Sequence, residues 1–277
     1  MNRVVLERNC GGLHPKVGCE MIKYYEQLFE KVREMYPRRR LSRFFPLEGY
    51  RYNEFEQIQS LENLTVSVPA VRLMVVGRSV NGWTEILENS AKEFSDSMTD
   101  TLIPGGEGFM WLDDGGIAKE TYINENGEKK RYNVNRSAFF RCARAVIGKL
   151  KPITLIDTRW FEHIVWTNLY PIAPLYGGNA EGRLRDIQLE LSRKILLEQI
   201  KHYRPTHILF ITDWEYWFEC FAPDFPNVVK RDNGTVVGKG MFNGIRVVVS
   251  SRPDRTRPSK PDERLFAEKV VEGFLEI

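Results

Sequence analysis

The chain has 277 residues, 42% of them hydrophobic and 28% charged, a composition typical of a folded protein and not of a disordered segment. With 40 Lys and Arg against 37 Asp and Glu, the net charge of +3 does not by itself indicate a nucleic-acid partner. Four cysteines are too few for a disulfide scaffold, and the chain has neither an apolar leader nor an apolar run of about 18 residues. We therefore expect a cytoplasmic protein that does not bind membranes.

Six segments are predicted to be helices and four to be buried strands. Apolar residues lie near helical spacing in the helical segments, which are residues 21–36, 83–94, 137–150, 181–204, 214–222 and 262–277. The strand segments contain continuous apolar runs, typical of strands buried on both faces, and they are residues 71–77, 162–170, 206–212 and 245–251. Strands that alternate with helices predict an α/β fold with a parallel sheet and right-handed crossovers.

The remaining segments are interpreted as additions to one α/β domain that spans residues 1–277. Residues 1–68 form an N-terminal extension, helical at first and then without a clear period, that wraps around the domain. Residues 101–135 are rich in glycine and contain a predicted β-hairpin that turns at Asn126 and Gly127. We interpret 101–135 as an insertion and not as a second domain.

The loops that follow the four strands are the predicted location of the functional site, because ligands of parallel α/β sheets bind at the carboxyl ends of the strands. After the first strand come Gly77, Arg78, Ser79 and Asn81. Glycine lets the backbone approach a ligand, and the serine and asparagine offer hydrogen bonds. The alternative is an ordinary strand–helix turn in which Ser79 or Asn81 caps the helix.

Asn168 lies near the carboxyl end of the second strand, where its amide can donate and accept hydrogen bonds to the edge of a base. The alternative is a turn in which this side chain satisfies its own backbone. The loop after the fourth strand contains four cations and two prolines, a combination that suits phosphate binding; the cations are Arg252, Arg255, Arg257 and Lys260. The alternative there is a solvated basic loop.

No metal or cofactor is predicted. Cys10, His14 and Cys19 form a cluster whose spacing fits no zinc pattern. Cys142 lies inside an amphipathic helical segment, where packing explains it. None of the four histidines is placed for acid–base chemistry at the predicted edge of the sheet.

Four sequence blocks, in this order, resemble the uracil-DNA glycosylase superfamily over about residues 70–255. They are VVG at 75–77, TNLYPIAP at 167–174, LLEQIKHYRPTHILFIT at 196–212 and GIRVVVSSRP at 244–253. The resemblance implies a three-layer α/β/α fold around a four-stranded parallel sheet. It also implies a pocket for a base that is flipped out of the DNA stack.

Roles for individual residues follow from the same resemblance. Asn168 would read the base edge, and Phe109 would stack on the base in a pocket lined by Gly77 and Arg78. Ser79 and Asn81 would position the attacking water. Arg252 would stabilise the departing base anion, and the phosphates would be held by Arg255, Arg257 and Lys260. The expected function is hydrolysis of the N-glycosidic bond of a damaged or modified base in DNA.

Two alternatives stay open, because the first loop lacks the acidic residue of that family and Arg252 stands in place of its final histidine. The first is a non-catalytic module on the same fold that binds nucleic acid or a nucleotide. The second is an esterase-like hydrolase with Ser79 as nucleophile, which needs a later histidine on the same edge of the sheet. His202 and His207 are the last histidines of the chain. The sequence does not determine the oligomeric state.

Overall fold

The fold was analysed in a computed structural model. It describes residues 17–49, 52, 56–59, 65–68, 71–79, 86–101, 117–123, 129–133, 137–151, 160–175, 177–231, 234–253 and 262–277. The helices are α1 (Val17–Met35), α2 (Ala91–Thr101), α3 (Ala138–Leu150), α4 (Arg183–Tyr203) and α5 (Glu263–Leu275). Short 3₁₀ helices span Trp160–His163, Phe218–Cys220 and Ala222–Asp224.

Thirteen strands lie within these ranges. The first seven are β1 (Leu41–Arg43), β2 (Leu47–Glu48), β3 (Glu56–Gln59), β4 (Thr65–Val68), β5 (Leu73–Ser79), β6 (Ile117–Ile123) and β7 (Lys129–Asn133). The others are β8 (Ile164–Tyr170), β9 (Ile172–Pro174), β10 (His207–Ile211), β11 (Val228–Lys230), β12 (Val236–Phe242) and β13 (Ile245–Ser250).

Seven strands form one mixed sheet in the order β11-β12-β13-β10-β5-β8-β2. The predicted strands are β5, β8, β10 and β13, and they pair in parallel in the middle of this sheet. Strand β2 adds to one side and β12 to the other, both antiparallel, and β11 pairs antiparallel with β12. The α/β class is therefore confirmed, but the sheet is wider than the four strands expected.

Helices cover both faces of the sheet, because successive side chains of a strand point to opposite sides. In β5, Met74 and Val76 pack into an apolar cluster with α1, α2 and α4. Leu73 and Val75 pack into a second cluster with α3 and α5. Burial on both faces explains why the central strands are continuous apolar runs in the sequence.

Two predicted helices differ from the structure. The segment 83–94 is not a helix at its described start: Ile86 bridges to Ser42, and Leu87 donates its backbone N–H to Leu41. Helix α2 begins only at Ala91, after Ser90, whose hydroxyl accepts a hydrogen bond from the backbone N–H of Glu93 at 3.3 Å. The segment 214–222 forms a turn and 3₁₀ helices in place of an α-helix.

The N-terminal segment contributes strands as well as a helix. Helix α1 packs on α4, β1 pairs with β9, and β2 extends the central sheet. The hairpin predicted in 101–135 is present as the antiparallel pair β6–β7, although its turn residues lie outside the described ranges. Within the described ranges, no helix has the length and apolar character needed to cross a membrane.

Candidate functional site

The order of the parallel strands locates a crevice between β5 and β10. After β5 the chain proceeds to β8 on one side, and it then returns to β10 on the other side of β5. Helix α3 leads into β8 on one face of the sheet, and α4 leads into β10 on the opposite face. In such sheets, the crevice outside the carboxyl ends at the point of reversal is the usual position of a ligand.

Gly77 and Asn168 are direct neighbours at this edge. They are paired in the β5–β8 register, and a Cβ atom on Gly77 would lie 2.4 Å from Asn168 Oδ1. Glycine is therefore required for the Asn168 side chain to lie across β5. Asn168 is 6% exposed, and its Nδ2 meets no hydrogen-bond acceptor among the described residues. The ring of Phe139, on α3, lies 3.3 Å from the same Cβ position.

Ser79 connects the end of β5 to the loop before α4. Its hydroxyl donates to Asn179 Oδ1 at 3.4 Å and accepts a hydrogen bond from the backbone N–H of Ala180 at 3.1 Å. The hydroxyl thus holds two loops together. The hydroxyl proton is directed to Asn179, so the donor capacity of Ser79 is used within the protein.

Arg78 is the charged centre of the edge. Its guanidinium pairs with the Asp213 carboxylate, and its Nε donates to the carbonyl oxygen of Thr212 at 2.8 Å. The guanidinium carbon lies 4.9 Å from the centroid of the Trp217 ring, a cation–π contact. Burial, followed by the nearby charge of Arg252, lowers the pKa of Arg78 to about 10, so this side chain is still protonated at neutral pH.

Asp213 joins Arg78 to the loop after β13. Its Oδ1 accepts a hydrogen bond from the backbone N–H of Arg252 at 2.7 Å. The Arg252 side chain is exposed. Arg252 therefore presents a cation to solvent at the end of the fourth parallel strand.

Four predicted site residues form two groups on opposite faces of the sheet. Asn168 and Gly77 lie together on the face covered by α3. Arg78 and Arg252 both contact Asp213, and Arg78 lies over Trp217, which packs in the cluster that contains α4. Five predicted residues lie outside the described ranges, so their placement stays a prediction; they are Asn81, Phe109, Arg255, Arg257 and Lys260.

The loop after the third strand, Asp213–Tyr216, was expected at the functional edge, but no role was assigned to Asp213, Tyr216 or Trp217. Asp213 directly follows the predicted strand 206–212, a positional signal like that of Asn168. Tyr216 and Trp217 fall in the segment 214–222, which was predicted to be a helix. They reach the edge because the segment predicted to be a helix is a turn, in which Asp213 and Tyr216 have left-handed backbone angles, with φ of 67° and 65°.

The described residues contain no group of three or more His, Cys, Asp or Glu side chains that could hold a metal ion. Cys10 and His14 lie outside the described ranges. Cys142 is buried in the cluster with α3, as predicted, and burial raises the pKa of its thiol to about 12.

A groove of about 580 Å³ lies at the opposite edge of the sheet, between the end of α4 and the β12–β13 turn. Its lining includes Arg72, Arg204 and Phe242, and none of the predicted site residues. A comparison of the sequence with known protein families and with curated proteins found no match.

Proposed function

We propose that the chain binds a base displaced from DNA at the carboxyl edge of the sheet and hydrolyses its N-glycosidic bond. The observation that carries the proposal is the side chain of Asn168. This amide is buried, lies at the end of a parallel strand beside Gly77, and has an Nδ2 group without an acceptor among the described residues.

A buried N–H group without a partner destabilises a protein by about 1–3 kcal/mol. A base provides carbonyl and ring-nitrogen acceptors along its edge, and an asparagine amide matches an adjacent donor and acceptor on one base. Binding of a base would therefore satisfy Nδ2. The resemblance of TNLYPIAP at 167–174 to the uracil-DNA glycosylase superfamily supports the same role for Asn168.

The charges of the edge support cleavage of the bond to the base. In the reaction, the oxygen of water bonds to the sugar C1′, the C1′–N bond breaks, and its electron pair leaves with the base. The departing base then takes up the proton that the water releases. Arg78 is protonated at neutral pH but its charge is compensated by Asp213, whereas Arg252 is exposed and always charged. A cation such as Arg252 at this edge would stabilise negative charge that develops on the base or lies on the phosphates.

The test is an assay for abasic sites in oligonucleotides that contain uracil, hypoxanthine or xanthine. We expect excision by the wild type and a fall in kcat/KM of at least about ten-fold in Asn168→Ala, because the edge contact is lost. Ser192→Ala is the matched control. It also replaces a buried polar side chain, but in α4 and not at the predicted site, so it should leave kcat/KM unchanged. No excision of any base by folded wild-type protein would refute the catalytic proposal.

A second candidate function, binding without chemistry, is favoured by a specific observation. Ser79 is held by Asn179 and Ala180, and Asp213 is held by Arg78 and the backbone of Arg252. Neither group is free to act as a base on water. This alternative predicts DNA affinity that decreases steeply with salt, with no abasic product.

The esterase alternative has no support in the described contacts. The Ser79 hydroxyl bonds to Asn179 and Ala180, and no histidine of the described ranges bonds to it. His207 stands at the start of β10, at the edge of the sheet opposite to the end of β5.

A further inference from the structure

Tyr216 is held in a backbone conformation that tyrosine rarely adopts. Its φ is 65°, in the left-handed region, where glycine or asparagine is relaxed and a bulky residue is strained. Its side chain is 73% exposed, so no burial of the ring offsets the strain. Strained residues that persist in a fold are concentrated at binding and catalytic sites.

The loop around Tyr216 is firmly anchored. Trp214 and Trp217 are both buried in the cluster that also contains α4. The carbonyl oxygen of Tyr216 accepts a hydrogen bond from Arg185 Nη1 at 3.4 Å, and Glu215 forms an ion pair with Lys230 at 2.7 Å. The fold therefore presents the Tyr216 ring to solvent from a fixed backbone.

Three arginines contact the backbone or neighbours of Tyr216 at the same edge of the sheet. Arg185 bonds to the Tyr216 backbone, Arg78 lies over the adjacent Trp217, and Arg252 is bound through Asp213 to the start of this loop. Among the exposed large apolar side chains of the described ranges, Tyr216 is the aromatic one. An exposed aromatic ring beside fixed cations is the arrangement by which proteins stack unpaired bases and hold the phosphates between them.

We propose that Tyr216 is a stacking platform for an unpaired base of single-stranded DNA that flanks the base bound by Asn168. The inference rests on the proposed function in one respect, which is that DNA lies along the carboxyl edge. It adds a preference for single strands, because in a duplex the faces of the bases are covered by their neighbours. Arg252 supplies the phosphate contact and Tyr216 the stacking contact.

The experiment measures the affinity for a fluorescent single-stranded oligonucleotide at several salt concentrations. Stacking on one aromatic residue typically contributes enough that its removal weakens binding about five-fold or more. We therefore expect at least this loss in Tyr216→Gly and wild-type affinity in Tyr216→Phe. Tyr24→Ala is the matched control, since Tyr24 is half-buried on α1 beside Lys194.

Two further readouts separate stacking from a structural role. Tyr216→Gly is expected to keep or raise the melting temperature, because relief of left-handed strain offsets the greater freedom of glycine in the unfolded chain. It is also expected to leave the salt dependence of binding unchanged, because no charge is removed. A lower melting temperature with unchanged affinity would overturn the proposal.

The outcomes also separate this proposal from the catalytic one. Tyr216-dependent binding without excision would support the stacking role and refute catalysis. Excision with equal affinity of Tyr216→Gly and wild type would refute the stacking role and support catalysis. Equal loss of affinity for a blunt duplex of the same sequence would overturn the assignment to single strands.

Discussion

The two edges of the parallel sheet use left-handed backbone in different ways. At the amino edge, Arg204 ends helix α4 with a φ of 48°, and Asn243 precedes Gly244 in the tight β12–β13 turn. Helix ends and hairpin turns commonly need such residues, so local geometry explains both. At the carboxyl edge, Asp213 and Tyr216 lie in one loop that ends no helix and joins no hairpin.

Hydrogen bonding ties the strands together at the amino edge. There the backbone N–H groups of Thr206 and His207 both donate to the carbonyl oxygen of Arg72, and Arg246 N–H donates to Thr206. Each edge also has a buried side-chain donor without an acceptor among the described residues, Arg72 Nε at the amino edge and Asn168 Nδ2 at the carboxyl edge. The amino edge therefore holds the strands in register, and an unsatisfied buried donor does not by itself distinguish the two edges.

The largest expected effect is on the pH dependence of stability, and it comes from His207 at the amino edge. The ring is 8% exposed, packs against Phe274, and lies 2.9 Å through Nδ1 from Thr206 Oγ1. Burial, followed by the charge of Arg246, lowers its pKa from the ordinary 6.5 to about 4. The neutral ring therefore stabilises the fold fully above pH 6.5, and this contribution is lost as the pH falls through 4.

We expect the free energy of unfolding to fall by about 3 kcal/mol more between pH 7 and pH 4 in the wild type than in His207→Asn. Urea denaturation at several pH values measures this difference. Asn168→Ala, at the other edge, should show the wild-type dependence on pH. Parallel curves for wild type and His207→Asn would contradict the structural role of the amino edge.

The ion pair at the carboxyl edge gives the next effect. Asp213→Asn keeps a residue that tolerates left-handed backbone but removes the charge that Arg78 faces. The partly buried guanidinium loses its counter-charge, and we expect a loss of about 1–3 kcal/mol in stability. The freed cation should at the same time strengthen DNA binding.

Thermal denaturation and oligonucleotide titration of the same Asp213→Asn sample test both parts. Glu190→Gln removes a fully exposed ion pair with Lys194 and should change neither quantity measurably. Weaker DNA binding by Asp213→Asn than by the wild type would contradict an anion-binding role for Arg78.

Gly77→Ala tests the contact between β5 and β8. Its Cβ would lie 2.4 Å from Asn168 Oδ1, and a terminal side-chain atom can move away. We expect a stability loss of about 1 kcal/mol, with a fall in kcat/KM for excision similar to that of Asn168→Ala. In the Asn168→Ala background, Gly77→Ala should have almost no further effect, as a double-mutant cycle would show.

Gly240→Ala is the contrasting glycine variant. Its Cβ would clash with the backbone carbonyl of Asn227, and a backbone atom cannot move away as a side-chain terminus can. It should destabilise the protein more than Gly77→Ala does and leave base recognition intact in the folded fraction. Additive effects of Gly77→Ala and Asn168→Ala would show that the glycine does not serve the asparagine.

The smallest expected effect is that of Arg252→Ala. The Arg252 side chain is exposed, so stability should change little. If it neutralises one phosphate, the slope of log affinity against log salt should decrease by about 1. Lys269→Ala, on the outer face of α5, should leave the slope unchanged. Equal slopes for wild type and Arg252→Ala would place the phosphates elsewhere.

Much of the fold could be predicted from local pattern. Continuous apolar runs marked β5, β8, β10 and β13, since a strand covered on both faces has no polar side. The hairpin predicted within 101–135 is present as the antiparallel β6–β7 pair. The prediction failed for 214–222, where spacing suggested a helix. The buried tryptophans and the Arg185 contact hold that segment in a left-handed turn.

The sequence by itself therefore determined the fold class, the four central strands and the edge where polar groups collect, because these depend on periodicity and on the position of a residue after its strand. Only the tertiary structure decided which of these groups meet. Arg78 binds the carbonyl of Thr212, 134 residues away, and Asn168 crosses Gly77 because β5 and β8 pair in one register. Such contacts depend on strand order, register and backbone angles in distant loops, and no local pattern encodes them.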